Sequence, residues 1–439
     1  MEQISIFDLD ADLPLYKIDR NKPIRLISLF SGYDSQMLAF KYLGIDVEHY
    51  RTVEFNKYAV QSLNDIHNTN FSVQDITKIN GDYLGVEDTD KYTYVMTYSA
   101  PCTDISLAGK RAGMSKESGT RSANIWEVGR LLHECKELPQ ILIMENVPEI
   151  VNECSWKNWV LLLENLGYSS YCQFLNAKNY GIPQNRERCF MVSILGNYNY
   201  NFPKGFELKY RLKDLLENNV DEGFCLSDKF LNYCLGVNQK KSKFPRKKRF
   251  LQSLQMTNEK GIATTISTNA GNRPVDNFIL KDNGIIGSTQ ENAYVGSLDN
   301  NCPSLTAAMG MGGGHIPIIF RNDIEPKVLG GIGEKKSNGG TQWYQQDCIY
   351  DDNIAISVTT TFNPYYKNNL QMRKLTPKEC FKLMGVKPGD YDKLTVSKTQ
   401  KYIQAGNSIV TTCLMAIYSQ LFNGVDYRKK IDELLENLK

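Results

Sequence analysis

The stretch "IRLISLFSGYDSQMLAFKYLGIDVEHYRTVEF", residues 24–55, contains two kinds of hydrophobic pattern in alternation. The apolar run at 24–30 predicts a buried strand, and the apolar residues of 35–44 have the spacing of a helix that ends at Gly44. A second strand pattern follows at 47–55. Two strands joined through one helix lie parallel in one sheet, so this stretch predicts a βαβ unit.

The same alternation continues to about residue 200. Strand patterns recur at 92–99 and 140–147, and helix patterns recur at 57–67, 125–138 and 159–168. Repeated βαβ units predict an α/β fold with a doubly wound, mostly parallel sheet. Such sheets bind ligands beyond the carboxyl ends of their strands, and the unusual polar residues of this sequence fall there.

Composition restricts the kinds of protein that fit this sequence. The formal net charge of the 439 residues is only +2, so a nucleic-acid surface would have to be a local patch. No apolar run is long enough to cross a bilayer and no signal peptide is apparent, which favours a soluble, cytoplasmic protein without membrane association. The eleven Cys stand singly without a C-x-x-C pair, which argues against a disulfide framework and against a zinc site.

The character of the sequence changes twice along the chain. We assign residues 1–202 to the first part of a catalytic and cofactor-binding domain. Residues 203–370 are rich in Gly, Asn, Thr and Lys, carry short β-like runs and include the basic stretch at 240–250, which predicts a smaller, mainly β domain. Amphipathic patterning returns in 371–439, so we expect that segment to pack back onto the first domain.

Three chemically distinctive groups follow or precede predicted strands. Cys102 stands where a buried strand enters a loop, a position at which backbone N–H groups and nearby cations can lower the pKa of a thiol. Glu145 and Asn146 follow the apolar run that begins at 140. Arg186 and Arg188 stand two apart before another strand, so both can point the same way if that stretch is extended. A thiol, a carboxylate and two guanidinium groups suggest a nucleophile, an acid and an anion clamp, although each residue alone is also compatible with packing or a solvated surface.

Five short motifs stand in order along the chain: Pro101-Cys102 with Ser106, Glu145-Asn146-Val147, Gln184-x-Arg186-x-Arg188, "RKLTPKECFKLMGV" at 373–386 and "QAGNSIV" at 404–410. The resemblance that these motifs carry is to the DNA (cytosine-5)-methyltransferases of bacterial and phage type, in which they stand in the same order. It covers about 24–200 and 370–423, and it implies a methyltransferase sheet with a smaller target recognition domain at 203–370.

The resemblance also implies a role for each catalytic residue. Cys102 would add to C6 of cytosine and make C5 nucleophilic. Glu145 would hydrogen-bond N3 and the exocyclic amine, Asn146 would brace its loop, and Arg188 would reach O2. Arg186 would help to hold the pocket or a phosphate. The target base has to leave the stacked duplex before any of these groups can reach it.

The cofactor that the resemblance implies is S-adenosylmethionine, without a metal. Its expected contacts come from two strand ends, the loop before the first helix and the C-terminal motif: Phe30, Gly32, Glu54, Asp75, Ile76, Pro101, Asn407 and Ser408. The family usually has more Gly in the first loop, where this chain has Asp34 and Ser35. A nicotinamide cofactor fits less well, because the full G-x-G-x-x-G is absent.

The expected partner is double-stranded DNA, read by residues 203–370, with a cognate restriction endonuclease as a candidate partner and a monomer as the expected state. Two alternatives remain open at the level of sequence. An RNA (tRNA) cytosine-5 methyltransferase would have the same fold, although the large recognition segment counts against it. A catalytically silent DNA-binding module is disfavoured by the complete set of Cys102, Glu145 and Arg188.

Overall fold

A computed structural model of the protein describes residues 13–101, 121–221, 224 and 375–439. It also describes the backbone of short strands elsewhere in the chain: Ile4–Ser5, Gln255–Met256, Ile285–Ile286, Tyr294–Ser297, Cys302–Pro303, Ile318–Arg321, Val328–Gly331, Cys348–Tyr350, Tyr365–Tyr366 and Gln371–Lys374. Those between 255 and 374 form small sheets of two or three strands. Cys102, Ser106 and the basic stretch at 240–250 lie outside the described residues.

The first eight strands in chain order are β1 (Ile4–Ser5), β2 (Ile24–Leu29), β3 (Glu48–Val53), β4 (Thr93–Tyr98), β5 (Ile141–Asn146), β6 (Tyr168–Asn176), β7 (Gln184–Asn185) and β8 (Glu187–Leu195). Seven of them form the largest sheet among the described residues, in the order β1-β6-β8-β5-β4-β2-β3. The two-residue β7 is not part of this sheet and pairs instead with Cys302–Pro303.

The sheet is mostly parallel, with one interior strand reversed. Strands β3, β2, β4 and β5 are mutually parallel, as the alternating pattern predicted. Strand β8 runs antiparallel to both of its neighbours, β5 and β6. The connection from β6 to β8 has only the short 3-10 helix Ala177–Tyr180, not a long crossover helix, so the chain returns in the opposite direction. The beginning of β8 therefore lies at the same edge of the sheet as the end of β5.

Helices cover both faces of this sheet. They are α1 (Ser35–Leu43), α2 (Lys57–His67), α3 (Gly81–Leu84), α4 (Ile125–Glu134), α5 (Trp156–Asn165), α6 (Leu212–Leu215), α7 (Pro377–Lys382), α8 (Pro388–Tyr391), α9 (Lys398–Asn407), α10 (Thr411–Ser419) and α11 (Tyr427–Glu436). Alternate residues of each strand enter different hydrophobic clusters: Leu26 joins the one that contains α1 and α10, and Ile27 joins the one that contains α4 and α5.

Several predicted boundaries need correction. The helix predicted over 159–168 is found at Trp156–Asn165, and Tyr168 begins β6. The helix predicted over 125–138 ends at Glu134, because Cys135 takes an extended conformation with ψ 143°. Glu145 and Asn146, expected after the apolar part of the strand pattern at 140–147, are the last two residues of β5 and are paired with β8. The pairing with β4 ends at Met144, so pairing with β8 alone extends this strand to its two polar residues.

The C-terminal segment packs directly against the first part of the chain. The ring of Tyr418 in α10 stacks on Phe40 of α1 at a centroid distance of 4.0 Å. The Ile18 N–H donates to the carbonyl of Leu421 at 2.7 Å, and Tyr42 donates its hydroxyl to Asp390 at 2.8 Å. Residues 375–439 therefore complete one of the two hydrophobic clusters that support the sheet.

Candidate active site

Glu145 lies at the carboxyl edge of the sheet, held by groups from the neighbouring strands. Its side chain is buried, with 5% of the residue exposed. One carboxylate oxygen accepts a hydrogen bond from Ser99 Oγ at 2.6 Å, just after β4. The other lies 3.2 Å from Arg188 Nε in β8. The carboxylate is thus fixed by one neutral and one charged donor at this edge of the sheet.

Asn146 holds the backbone that leads to Cys102. Its Nδ2 donates to the carbonyl of Ala100 at 3.0 Å, and its Oδ1 accepts from the Val147 N–H at 2.9 Å. Ala100 is followed directly by Pro101, the last described residue before Cys102. These bonds are those expected of a side chain that braces the loop.

Arg186 contacts the C-terminal motif at 404–410, whereas Arg188 contacts Glu145. Arg186 is 4% exposed, and its Nη2 donates to the carbonyls of Gly406 at 3.1 Å and Ser408 at 2.8 Å. Contact with a DNA phosphate would require Arg186 to leave these carbonyls. Gln184 of the same motif donates its Nε2 to the carbonyl of Leu383 at 2.7 Å. The arginine motif is therefore bonded to both C-terminal motifs.

The loop from 30 to 34 has an unusual backbone. Phe30, Gly32 and Asp34 all have positive φ, at 55°, 57° and 60°. Asp34 takes the left-handed conformation at a position where the resemblance led us to expect Gly, and aspartate is one of the few other residues that tolerate it. Asp34 thus adopts the left-handed backbone conformation that a Gly at this position would allow.

Glu54, directly after β3, bonds to this loop. Its carboxylate accepts from the Gly32 N–H at 2.9 Å and from the Asn56 N–H at 2.8 Å. Burial raises the pKa of Glu54, and these two N–H groups offset part of that effect. Phe55, which the sequence analysis did not select, is 74% exposed beside it. An exposed aromatic ring next to a half-buried carboxylate is a suitable surface for a nucleoside.

The predicted adenine contacts, Asp75 and Ile76, lie in a segment anchored from α4. Asp75 accepts from the hydroxyl of Thr77 at 2.8 Å and from its N–H at 3.1 Å, which lowers the pKa of Asp75. The Ile76 carbonyl accepts from Arg130 Nη2 at 3.0 Å. Arg130 was missed because its spacing to two glutamates of α4 is that of ordinary surface ion pairs.

Of the C-terminal pair, Ser408 is buried and Asn407 is exposed at the end of α9. The Ser408 Oγ accepts from the hydroxyl of Tyr33 at 2.9 Å, so the C-terminal motif bonds to the loop that contains Gly32. Burial raises the pKa of Tyr33, which remains a hydrogen-bond donor at neutral pH. The structure thereby brings Gly32, Glu54 and Ser408 to one loop.

Two general properties concern the same described residues. Within them, no group of His, Cys, Asp and Glu has the arrangement needed to hold a metal ion. Their helices are also too short or too polar to span a membrane.

Comparison with known proteins assigns the family. The family model of the C-5 cytosine-specific DNA methylases matches residues 24–423. The type II methyltransferase M2.ScrFI of Lactococcus lactis subsp. cremoris is 30% identical over 418 residues, which cover 92% of this chain and 85% of that protein. The orphan methyltransferase M.SPBetaI of Bacillus phage SPbeta is 25% identical over 483 residues, covering 91% and 98%.

Solved structures share the fold. The Entamoeba histolytica methyltransferase EhMeth matches with a TM-score of 0.58 at 16% identity, covering 92% of this chain and 99% of its own. The S. pombe Dnmt2 methyltransferase matches with a TM-score of 0.55 at 16% identity, covering 90% and 97%. The resemblance drawn from the five motifs is confirmed. The chain belongs to the C-5 cytosine-specific DNA methylases and is a DNA (cytosine-5-)-methyltransferase.

Proposed function

We propose that the protein transfers a methyl group from S-adenosylmethionine to C5 of a flipped-out cytosine in a specific duplex DNA sequence, through a covalent bond between Cys102 and C6. C5 of cytosine is not nucleophilic, so direct attack on a methyl donor would be slow. Addition of the Cys102 thiolate to C6 places an electron pair at C5. After C5 has bonded the methyl group it loses its proton, and the returning electrons expel the thiolate.

The observation that carries this proposal is the hydrogen-bonded position of Glu145. The carboxylate lies between Ser99 and Arg188 and is bonded to both, and Asn146 fixes the backbone two residues before Cys102. Glu145 can therefore hydrogen-bond N3 and the exocyclic amine of an extruded base as charge develops on its ring. Arg188, already at this edge, is the donor for O2. Flipping costs a few kcal/mol, which contacts of this kind offset.

The residues around the first loop fit S-adenosylmethionine, which supplies an electrophilic methyl group when bound. A Cβ on Gly32 would meet no other heavy atom within 4 Å, so this loop borders open space. Glu54 is the acceptor for ribose hydroxyls, and Phe55, Asp75 and Ile76 are the surface for adenine. Phe30, Pro101, Asn407 and Ser408 complete the proposed contacts.

We further propose that residues 203–370 are the target recognition domain, between a catalytic domain formed by 1–202 and 371–439. As a DNA methyltransferase the enzyme acts on DNA, and its basic stretch at 240–250 would contact phosphates of the duplex. We propose that it works as a monomer in the cytoplasm. Its relatives include both type II and orphan methyltransferases, so the partnership with a restriction endonuclease would depend on the second gene being present.

A tritiated methyl-transfer assay tests the reaction, with duplex DNA and tRNA as parallel substrates. We expect label in DNA, none in tRNA, and loss of transfer in Cys102→Ser with retained S-adenosylmethionine binding, because an alcohol is a poor nucleophile at neutral pH. Duplex DNA with 5-fluorocytosine at the target should trap an adduct through Cys102, since fluorine cannot leave as a cation. A Cys102→Ser enzyme within about tenfold of the wild-type rate would exclude this nucleophile.

A further inference from the structure

Behind the loop 30–34 lies a group of buried polar side chains that the methyl-transfer reaction does not use. Asp34 is fully buried. Its Oδ1 accepts from the Met37 N–H and from Ser28 Oγ, each at 3.1 Å, and its Oδ2 lies 2.7 Å from His49 Nε2. The carboxylate thus caps α1 and binds strands β2 and β3 at once.

His67, the last residue of α2, supports the same backbone. Its Nε2 lies 3.1 Å from the carbonyl oxygens of both Tyr33 and Asp34, so this nitrogen must carry the proton and donate. Burial lowers the pKa of His67 to about 4, so at neutral pH its ring is uncharged. The rings of His49 and His67 meet edge-on at 5.1 Å.

The groups in contact with Asp34 favour its ionised form. Burial raises the pKa of Asp34, but the contact with His49 and the hydrogen bond from the Met37 N–H lower it by more. Two further titratable groups interact with this cluster: the Asp34 carboxylate raises the pKa of Tyr418 in α10, and Lys41 of α1 lowers the pKa of His67. His49 Nδ1 is buried without a hydrogen-bond partner among the described residues, so the bond through Nε2 is the one that holds this ring.

This arrangement accounts for an aspartate at a position where the resemblance led us to expect Gly. A left-handed φ carries a cost in backbone strain for a non-Gly residue. Gly would remove that cost, but it could neither cap α1 nor bond to His49. Three hydrogen bonds to one buried carboxylate offset the strain and fix the loop in a single conformation.

We propose that Asp34, His49 and His67 are positioning residues that hold the loop 30–34 in the conformation that binds S-adenosylmethionine. The inference rests on the proposed cofactor site at Gly32 and Glu54. None of the three side chains needs to touch the cofactor, because all of them act on the loop from behind. Their loss should weaken cofactor binding and leave the chemical step at saturating cofactor largely intact.

Calorimetric titration with S-adenosylmethionine and the separate measurement of KM and kcat test this. His49→Leu leaves the Asp34 carboxylate without the hydrogen bond from His49 Nε2, and we expect Kd and KM for the cofactor to rise about tenfold or more with kcat within about twofold. His49→Gln keeps an N–H donor at similar reach and should restore most of the affinity. His133→Leu, a change at an exposed position of α4, is the matched control and should bind as wild type does.

Further variants keep the test decisive if His49→Leu does not fold. Ser28→Ala deletes one bond to Asp34 from outside the loop and should weaken binding by about threefold. Unchanged cofactor affinity in Ser28→Ala, and in His49→Leu where that variant folds, would overturn the inference. Glu54→Ala separates this failure from failure of the cofactor site itself. If Glu54→Ala also binds normally, the site is wrong, whereas a weakened Glu54→Ala beside normal Ser28→Ala and His49→Leu variants refutes only the positioning role.

Discussion

Arg186 is predicted to be a structural link whose loss is far more damaging than that of an exposed arginine. Its guanidinium donates to two carbonyls at the end of α9, at 3.1 and 2.8 Å, in a site where only 4% of the residue is exposed. Hydrogen bonds of a charged donor are each worth about 1.5–3 kcal/mol, and alanine leaves both carbonyls of Gly406 and Ser408 without this donor. We therefore expect Arg186→Ala to lower the free energy of unfolding by about 3–5 kcal/mol.

Urea unfolding followed by circular dichroism measures this difference. Arg186→Lys keeps the charge but cannot reproduce the planar fork, so it should recover only part of the lost stability. Arg428→Ala, at an exposed position in the first turn of α11, is the control and should change the free energy of unfolding by less than about 0.5 kcal/mol. If Arg186→Ala cost no more than Arg428→Ala, the bonds from Arg186 to the C-terminal motif would not stabilise the protein.

Three further predictions concern pH, the catalytic carboxylate and DNA contacts. The pKa of His67 is about 4 in the fold and 6.5 in an ordinary chain, so the unfolded state binds a proton first as the pH falls. The free energy of unfolding should therefore drop by about 3 kcal/mol between pH 6.5 and 4. Urea titrations at each pH measure this drop, and His67→Gln should show a drop that is smaller than that of wild type by this amount. Ser99→Ala deletes the 2.6 Å hydrogen bond to Glu145 and should lower kcat about tenfold without changing KM for the cofactor. An unchanged kcat would mean that Ser99 does not orient Glu145. Replacing Lys240, Lys241, Lys247 and Lys248 by Ala should weaken binding to all duplexes alike and flatten the salt dependence of that binding. Bisulfite sequencing should show the same methylated sites as with wild type, and a shift in those sites would contradict a role limited to phosphate contacts.

The sequence determined those features whose causes are local. The helix predicted at 57–67 is found with the same bounds, because Asn56 caps its first turn through bonds to Tyr58 and Ala59 and Asn68 ends it in a left-handed conformation. The helix that begins at Ser35 ends before Gly44 for the same kind of reason. The five motifs likewise identified the family, since residue types in a fixed order can be read without coordinates.

Only the tertiary structure decided which of these residues act together. The direction of β8, which brings Arg188 to Glu145, depends on pairing with two strands distant in sequence. Ser99 meets Glu145 across 46 positions of the chain, Arg186 meets Ser408 across 222, and Tyr33 meets Ser408 across 375. No local pattern encodes such contacts, because each arises when separate elements bury their apolar faces on one sheet and the remaining polar groups must find partners at its edge.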